Sequence, residues 1–233
     1  MDNFSIIVPL YNEEKNIENL IKEIIFYLKH LKCYEIILVN DGSTDKTKLV
    51  IENLKNKYSV SFINLNKNHG QSFAIQQGII KAKNQIIVTI DGDGQNNPKD
   101  ILTLLKIYNS GQKYSLIGGI RTKRIDNKLK IISSKIANKI RQFILNDDCL
   151  DTGCSLKVFD KKIFLDFPFF NGIHRFLPAL FKGYGRETMF VDVDHRARMF
   201  GTSKYGTVGR AVRGIRDLIK VVKIIKKFKR NNA

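Results

Sequence analysis

The chain has 233 residues, 43% of them hydrophobic and 27% charged, a globular balance that excludes a disordered or fibrous chain and allows one sizeable core. Its 40 Lys and Arg against 22 Asp and Glu leave a formal charge of +18, which suits nucleic acid, an anionic membrane surface or phosphorylated substrates, or simply reflects a Lys- and Asn-rich composition. Three cysteines (Cys33, Cys149 and Cys154) with no CxxC pair argue against a disulfide framework or a zinc site and for a reducing compartment.

Taken in order, the chain alternates short apolar runs with helix-period segments. It starts MDNFSIIVPLYNEE, with no basic stretch and too short an apolar run for a signal peptide. SIIVPL (5–10) reads as a first strand, and Ile17, Leu20, Ile21, Ile24, Ile25 and Leu28 then share one helix face. YEIILVN (34–40), VSFINL (60–65), QIIVTI (85–90) and YSLIGGI (114–120) read as further strands, with helices expected over 45–58, 71–82 and 98–108. Continuous apolar strands separated by helices imply a mostly parallel sheet covered on both faces, an α/β fold of Rossmann-like type.

The second half is less regular. Residues 127–145 predict a basic amphipathic helix with Leu129, Ile132, Ile136, Ile140 and Phe143 on one side. LDTGCSLKVF (150–159), HRFLPALFKGYG (174–185), a strand in 187–196 and a glycine-bearing loop, RMFGTSKYG (198–206), follow. The tail from Arg210 to Arg230 carries nine Lys and Arg against Asp217 alone. The expected division is one α/β domain over 1–209 and a basic amphipathic tail over 210–233. Leu218, Val221, Val222, Ile225 and Phe228 share one face of that tail helix, and two arrangements stand: the stripe lies on an anionic membrane, or it packs on the domain and leaves the lysines in water. No apolar run approaches the ~20 residues of a spanning helix, so the expected location is cytoplasmic and peripheral to a membrane.

In an open α/β sheet, ligands sit outside the carboxyl ends of the strands. Polar residues collect at that edge: Tyr11, Asn12 and Glu13 after the first strand, Asp41 after the second, Asn68, His69 and Gly70 after the third, Asp91 and Asp93 after the fourth. A D-x-D there offers two hard oxygen ligands, with Gln95 a further oxygen, to a cation such as Mg²⁺ shared with a diphosphate. An EF-hand fails, because its glycine position holds Asn96 and its closing glutamate position holds Leu102. No GxGxxG follows the first strand and no Walker pattern appears, which excludes the usual dinucleotide and P-loop sites. Arg121, Arg175, Arg198 and Lys204 are candidate phosphate grips. His195, beside Arg196, has the best claim among the histidines to touch substrate, whereas Cys149 and Cys154 read as buried small side chains. With no nucleic-acid reading motif, charge alone does not make a nucleic-acid binder.

IIVPLYNEEKNIENLI, ILVNDGSTDKT, NKNHGQSFAIQQGI, IDGDGQNNP and VDHRARMFGTSKYG together resemble the family 2 glycosyltransferases of the GT-A fold, nearest to the dolichyl- and polyprenyl-phosphate sugar transferases. The resemblance spans Ser5 to about Asp217. It implies inverting, metal-dependent (Mg²⁺ or Mn²⁺) transfer of a sugar from a UDP- or GDP-sugar to an undecaprenyl or dolichyl phosphate at the cytoplasmic membrane face, with a saccharide acceptor as the alternative. It further implies that Pro9, Tyr11, Asn12, Glu13, Asp41 and Gly70 line the nucleotide-sugar pocket with Asp91, and that Asp91, Asp93 and Gln95 surround the metal. Asp151 is then placed near the sugar, and Arg121, Arg198, Ser203 and Lys204 near phosphates, with Arg175 and His195 joining them around the acceptor. The implied catalytic set is Asp93, Asp151, Arg121, Arg198 and Lys204. Where relatives of this type often carry a lysine after the third-strand glycine, this chain has Gln71. Such relatives also often continue into membrane helices near the end of the matched region, so the expectation is peripheral attachment or an integral membrane partner.

Overall fold

The computed structural model describes residues 3–31, 33–111, 113–121, 138–200 and 207–231. Its centre is a seven-stranded sheet. The elements run β1 (Phe4–Leu10), α1 (Ile17–Leu28), β2 (Tyr34–Asp41), α2 (Thr47–Lys57), β3 (Val60–Leu65), α3 (Gln71–Lys81), β4 (Ile86–Thr89), α4 (Asp100–Tyr108) and β5 (Tyr114–Arg121). A helix α5 follows over 138–145. Then come β6 (Lys157–Asp160), α6 (Lys161–Leu165), a 3₁₀ turn (Ile173–Arg175), α7 (Leu177–Gly183), β7 (Glu187–Val193) and α8 (Thr207–Asn231).

The strand order is β3-β2-β1-β4-β6-β5-β7. β1 pairs parallel with β2 and β4, β2 with β3, and β5 with β7. Only β6 runs the other way, antiparallel to both β4 and β5. The mostly parallel sheet expected from the apolar runs is therefore present. The antiparallel insertion of β6 had no counterpart in the sequence reading, because a four-residue strand following an irregular loop carries no periodic signal.

Side chains alternate across the sheet, as the strand period of two requires. Ile6, Val8, Leu10, Ile36, Leu38 and Val88 pack with Leu20, Ile24, Ile51 and Leu104 of α1, α2 and α4. Ile7, Ile37, Val39 and Ile87 face the other way, into Ile75 and Ile79 of α3 and Leu180 and Phe181 of α7. Burial on both faces explains why these strands read as unbroken apolar runs.

α8 decides between the two arrangements left open by its sequence. Val221 is fully buried, Leu218 and Ile225 pack on the same cluster as α7, and Phe228 stacks on Tyr184 at 3.7 Å between ring centroids. The apolar stripe is thus covered by the domain, and the outward face is cationic. Ile140 and Phe143 of α5 show the opposite behaviour. They belong to the apolar side expected of that amphipathic helix and stand 53% and 91% exposed. The remainder of that expected helix, with Leu129, Ile132 and Ile136, lies outside the described residues. Among the described residues no helix is long and apolar enough to cross a membrane.

Candidate functional site

β1, β2 and β4 end side by side, and their last residues open the site. Asn12 takes a left-handed backbone conformation (φ 53°), which asparagine tolerates better than most residues. It clasps the turn after β2: Asn12 Oδ1 accepts from the Thr44 backbone N–H at 2.8 Å, and the Asn12 backbone N–H donates to Ser43 Oγ at 2.9 Å. Tyr11 is half-exposed beside it and Pro9 lies within β1. Glu13 receives Asn16 Nδ2 on one oxygen at 2.7 Å, and its backbone N–H donates to Thr47 Oγ1 at 2.8 Å.

Asp41 ends β2 buried. Both of its carboxylate oxygens accept backbone N–H groups, from His69 and Gly70, each at 2.8 Å. Gly70 is the N-cap of α3, so Asp41 pins the start of that helix. A carboxylate at a helix N-terminus is also favoured by the helix dipole.

The D-x-D follows β4. Gly92 separates the two aspartates because a Cβ there would lie 2.3 Å from Leu10 Cδ2 and 3.2 Å from the Pro9 carbonyl oxygen. The chain can cross the end of β1 only without a side chain. Asp91 donates its N–H to Ser155 Oγ at 3.2 Å, and its Oδ1 accepts from Gln71 Nε2 at 2.7 Å. Asp93 Oδ1 accepts the N–H of Gln95 at 3.1 Å. Burial, with Asp93 close by, pushes the Asp91 carboxyl up to about 7; Ser155, Lys157 and Arg121 pull the other way. Burial likewise raises Asp93. Two acids held together out of water resist double ionisation unless a cation joins them.

The segment 194–200 lies across this pair. Asn96 and His195 form an isolated antiparallel bridge, the Arg196 N–H donates to the Gln95 carbonyl at 2.8 Å, and Gln95 Nε2 donates to the Arg196 carbonyl at 3.3 Å. Arg198 pairs with Glu13 through Nη2, and its Nη1 stands 4.0 Å from Asp93 Oδ2. The second carboxylate of the motif therefore already faces a guanidinium. A cleft of about 210 Å³ opens beside Asp93, with Asn19, Lys22, Glu23 and Arg196 among its walls.

Two of the expected phosphate grips, Arg121 and Arg175, are engaged in ion pairs. Arg121 Nε and Nη2 grip Asp151 bidentately at 2.6 and 2.8 Å, with the Arg121 N–H adding a third bond at 3.3 Å. Arg175 bonds Asp217 of α8 at 2.6 Å, which ties the 3₁₀ turn to α8 rather than to the D-x-D loop. Ser203 and Lys204 lie outside the described residues.

Other contributors escaped the sequence reading. Gln71 was noted only as a departure, yet it touches Asp91. Ser155 anchors the Asp91 backbone and donates to Asn96 Oδ1 at 2.7 Å. Lys157 is buried inside β6, its ammonium bonded to the Cys154 carbonyl. A lysine within the apolar run SLKVF was the available signal for it, since a buried lysine needs partners. Arg141, buried with Asp147, closes the 147–149 turn by two bonds to that carboxylate at 2.8 and 3.0 Å. Cys149 and Cys154 are buried as expected, and burial raises both thiols, Cys149 to about 11. They are inert as nucleophiles.

Comparison with known proteins agrees with this architecture. Residues 5–167 match the family described as Glycosyl transferase family 2. An undecaprenyl-phosphate 4-deoxy-4-formamido-L-arabinose transferase of Pectobacterium carotovorum is 33% identical over 207 residues, 87% of this chain and 62% of the relative. Its counterpart in Shewanella sediminis is 32% identical over 210 residues, 88% of this chain and 62% of the relative. The chain thus spans about 62% of the length of these curated relatives. Among solved structures, glucosyl-3-phosphoglycerate synthase from Mycobacterium tuberculosis, crystallised with Mn²⁺, UDP and phosphoglyceric acid, superposes with a TM-score of 0.71 at 16% identity, covering 94% of this chain and 77% of that one. The shared fold is GT-A. With the match extending from the first strand through the D-x-D to β6 and α6, the chain belongs to the family 2 glycosyltransferases.

Proposed function

We propose that the protein transfers a sugar from a UDP- or GDP-sugar to a polyprenyl phosphate at the cytoplasmic face of a membrane, with inversion and with Mg²⁺ or Mn²⁺ as cofactor. The observation that carries this reading is the half-buried Asp91/Asp93 pair that follows β4, desolvation raising both acids. The relatives named above act on undecaprenyl phosphate, which supplies the acceptor class.

Two hard carboxylate oxygens suit such a cation. Mg²⁺ is commonly held by one or two carboxylates plus substrate phosphates and keeps its other positions for water. Asp91 and Asp93 would hold the ion with Gln95 beside them, and the ion would supply charge stabilisation on the departing diphosphate. Asp41 holds the 69–70 loop in place for the nucleotide, and the Asn12–Thr44 clasp shapes the opposite wall.

A phosphate monoester with a second pKa near 6 is already ionised at neutral pH, so attack on the anomeric carbon requires no strong base. Its oxygen forms the new bond as the bond to the diphosphate breaks on the opposite side of the ring. The demand on the protein is to bring two anions together. Arg198, poised between Glu13 and Asp93, is the cation nearest to that task, with Lys204 and Ser203 assigned to the same phosphate. Asp151, clamped by Arg121, serves as a rigid, oriented anion near the sugar.

Attachment to the membrane is assigned to the outward face of α8. Arg216, Lys220, Lys223 and Lys227 are exposed there with Ile215 and Ile219, a pattern that favours anionic headgroups.

Calorimetric titration of UDP, GDP and their sugar derivatives, with Mn²⁺ and then with EDTA, tests the reading. One nucleotide should bind only with metal, and Asp93→Asn should abolish that binding and sugar transfer while leaving the fold intact. Undiminished transfer by Asp93→Asn would sink the metal assignment.

A further inference from the structure

Gln71 is the first residue of α3, and its side chain reaches Asp91: Nε2 donates to Oδ1 at 2.7 Å. The carboxylate can only accept, so the amide must turn its NH₂ toward it. The residues on either side of Gln71 are held independently. Gly70 gives its N–H to Asp41 at 2.8 Å. Ser72 Oγ accepts the N–H of Gly172 at 2.8 Å and meets His174 Nδ1 at 2.6 Å. Three consecutive residues are therefore pinned to the end of β2, the end of β4 and the 172–174 turn. A side chain launched from so constrained a backbone delivers its donor to one place.

The chemistry of an amide matters at this position. It satisfies one lone pair of a buried oxygen and fixes the carboxyl rotamer, yet it brings no charge that would compete with a cation. Partners behind a metal ligand act in this way, and their loss typically weakens metal binding by 10- to 100-fold.

We propose that Gln71 is a positioning residue for the divalent-cation site, holding the Asp91 carboxylate in the orientation in which it shares one ion with Asp93. This rests on the metal assignment made above. The substitutions Gln71→Met, which keeps the length of the side chain, and Gln71→Ala both remove the donor. Binding of Mn²⁺ to the full chain in the presence of UDP or GDP, read from the electron paramagnetic resonance signal of free Mn²⁺, should weaken about tenfold in both variants, with the thermal midpoint unchanged. Wild-type Mn²⁺ affinity in both variants would overturn the positioning role while leaving the metal site standing. A lowered thermal midpoint with unchanged affinity would assign Gln71 to the fold alone and overturn it equally. Absence of Mn²⁺ binding by the unsubstituted protein would remove the metal assignment itself, and this proposal with it.

Discussion

His174 shows how one buried side chain sets a pH response. Burial, then the neighbouring Arg175 and Lys157, push its imidazole from 6.5 down to about 3. The ring is neutral in the folded protein, and its Nδ1 shares a hydrogen bond of 2.6 Å with the Ser72 hydroxyl, which also accepts the N–H of Gly172. The folded value lies below the unfolded one, so His174 contributes its stability fully above about pH 6.5. That contribution is lost as pH falls toward 3, at about 1.4 kcal/mol per pH unit. Asp91 acts with the opposite sign. Its folded value is raised from 3.8 to about 7, so its contribution is present below 3.8 and is lost as pH rises through about 7. In metal-free protein the two slopes oppose each other between about pH 4 and 6.5. Urea midpoints across that range should therefore fall less steeply with rising pH for the native chain than for His174→Asn, because the raised carboxyls of Asp91 and Asp93 then act without the opposing histidine. Parallel profiles for the two proteins would show that His174 titrates normally.

At the level of elements, the packing of α3 rests on Gly78. A Cβ there would lie 2.5 Å from Ile7 Cγ2 and 3.1 Å from Val39 Cγ2. Glycine in a helix interior costs about 1 kcal/mol relative to alanine, so on propensity alone Gly78→Ala would stabilise the protein. Close packing against β1 and β2 reverses the sign, because an added methyl in a filled core costs about 1–3 kcal/mol. Chemical denaturation should show a net loss for Gly78→Ala, and any gain would mean that α3 sits further from the sheet than its contacts indicate. α3 also carries Gln71 toward Asp91, so its seating on the sheet and the geometry of the site are one problem. The same economy governs α8, where Ile225 lies against Gly183 and the apolar stripe is consumed by α7.

Across the whole molecule, the charge of +18 is concentrated where it can act. α8 turns its apolar stripe inward and its cations outward, while the D-x-D edge holds the half-buried acids. Each basic residue near an anionic membrane contributes about 1 kcal/mol of attraction. Replacing Lys223 and Lys227 together with Glu should weaken co-sedimentation with vesicles containing phosphatidylglycerol, at unchanged thermal stability because both are exposed. Retained binding would move the docking surface elsewhere, and the exposed Ile140 and Phe143 of α5 would be the next place to look.

Local pattern was enough to determine the strands β1 to β5, the helices between them and the positions of Asp41, Asp91 and Asp93 at one sheet edge. Apolar runs, helical periodicity and polar residues at strand ends are properties of neighbouring residues, and a parallel sheet converts them directly into a site. Tertiary structure alone decided which charges meet. Arg121 and Asp151 are 30 residues apart, and Arg198 and Glu13 are 185 apart. Nothing in any of these segments names its partner, so three of the expected phosphate grips, Arg121, Arg175 and Arg198, emerged already holding carboxylates. The antiparallel entry of β6, which brings Ser155 behind Asp91 and buries Lys157, was equally silent, as was the direction faced by the α8 stripe. An amphipathic helix specifies that one face is to be covered, and the rest of the fold specifies by what.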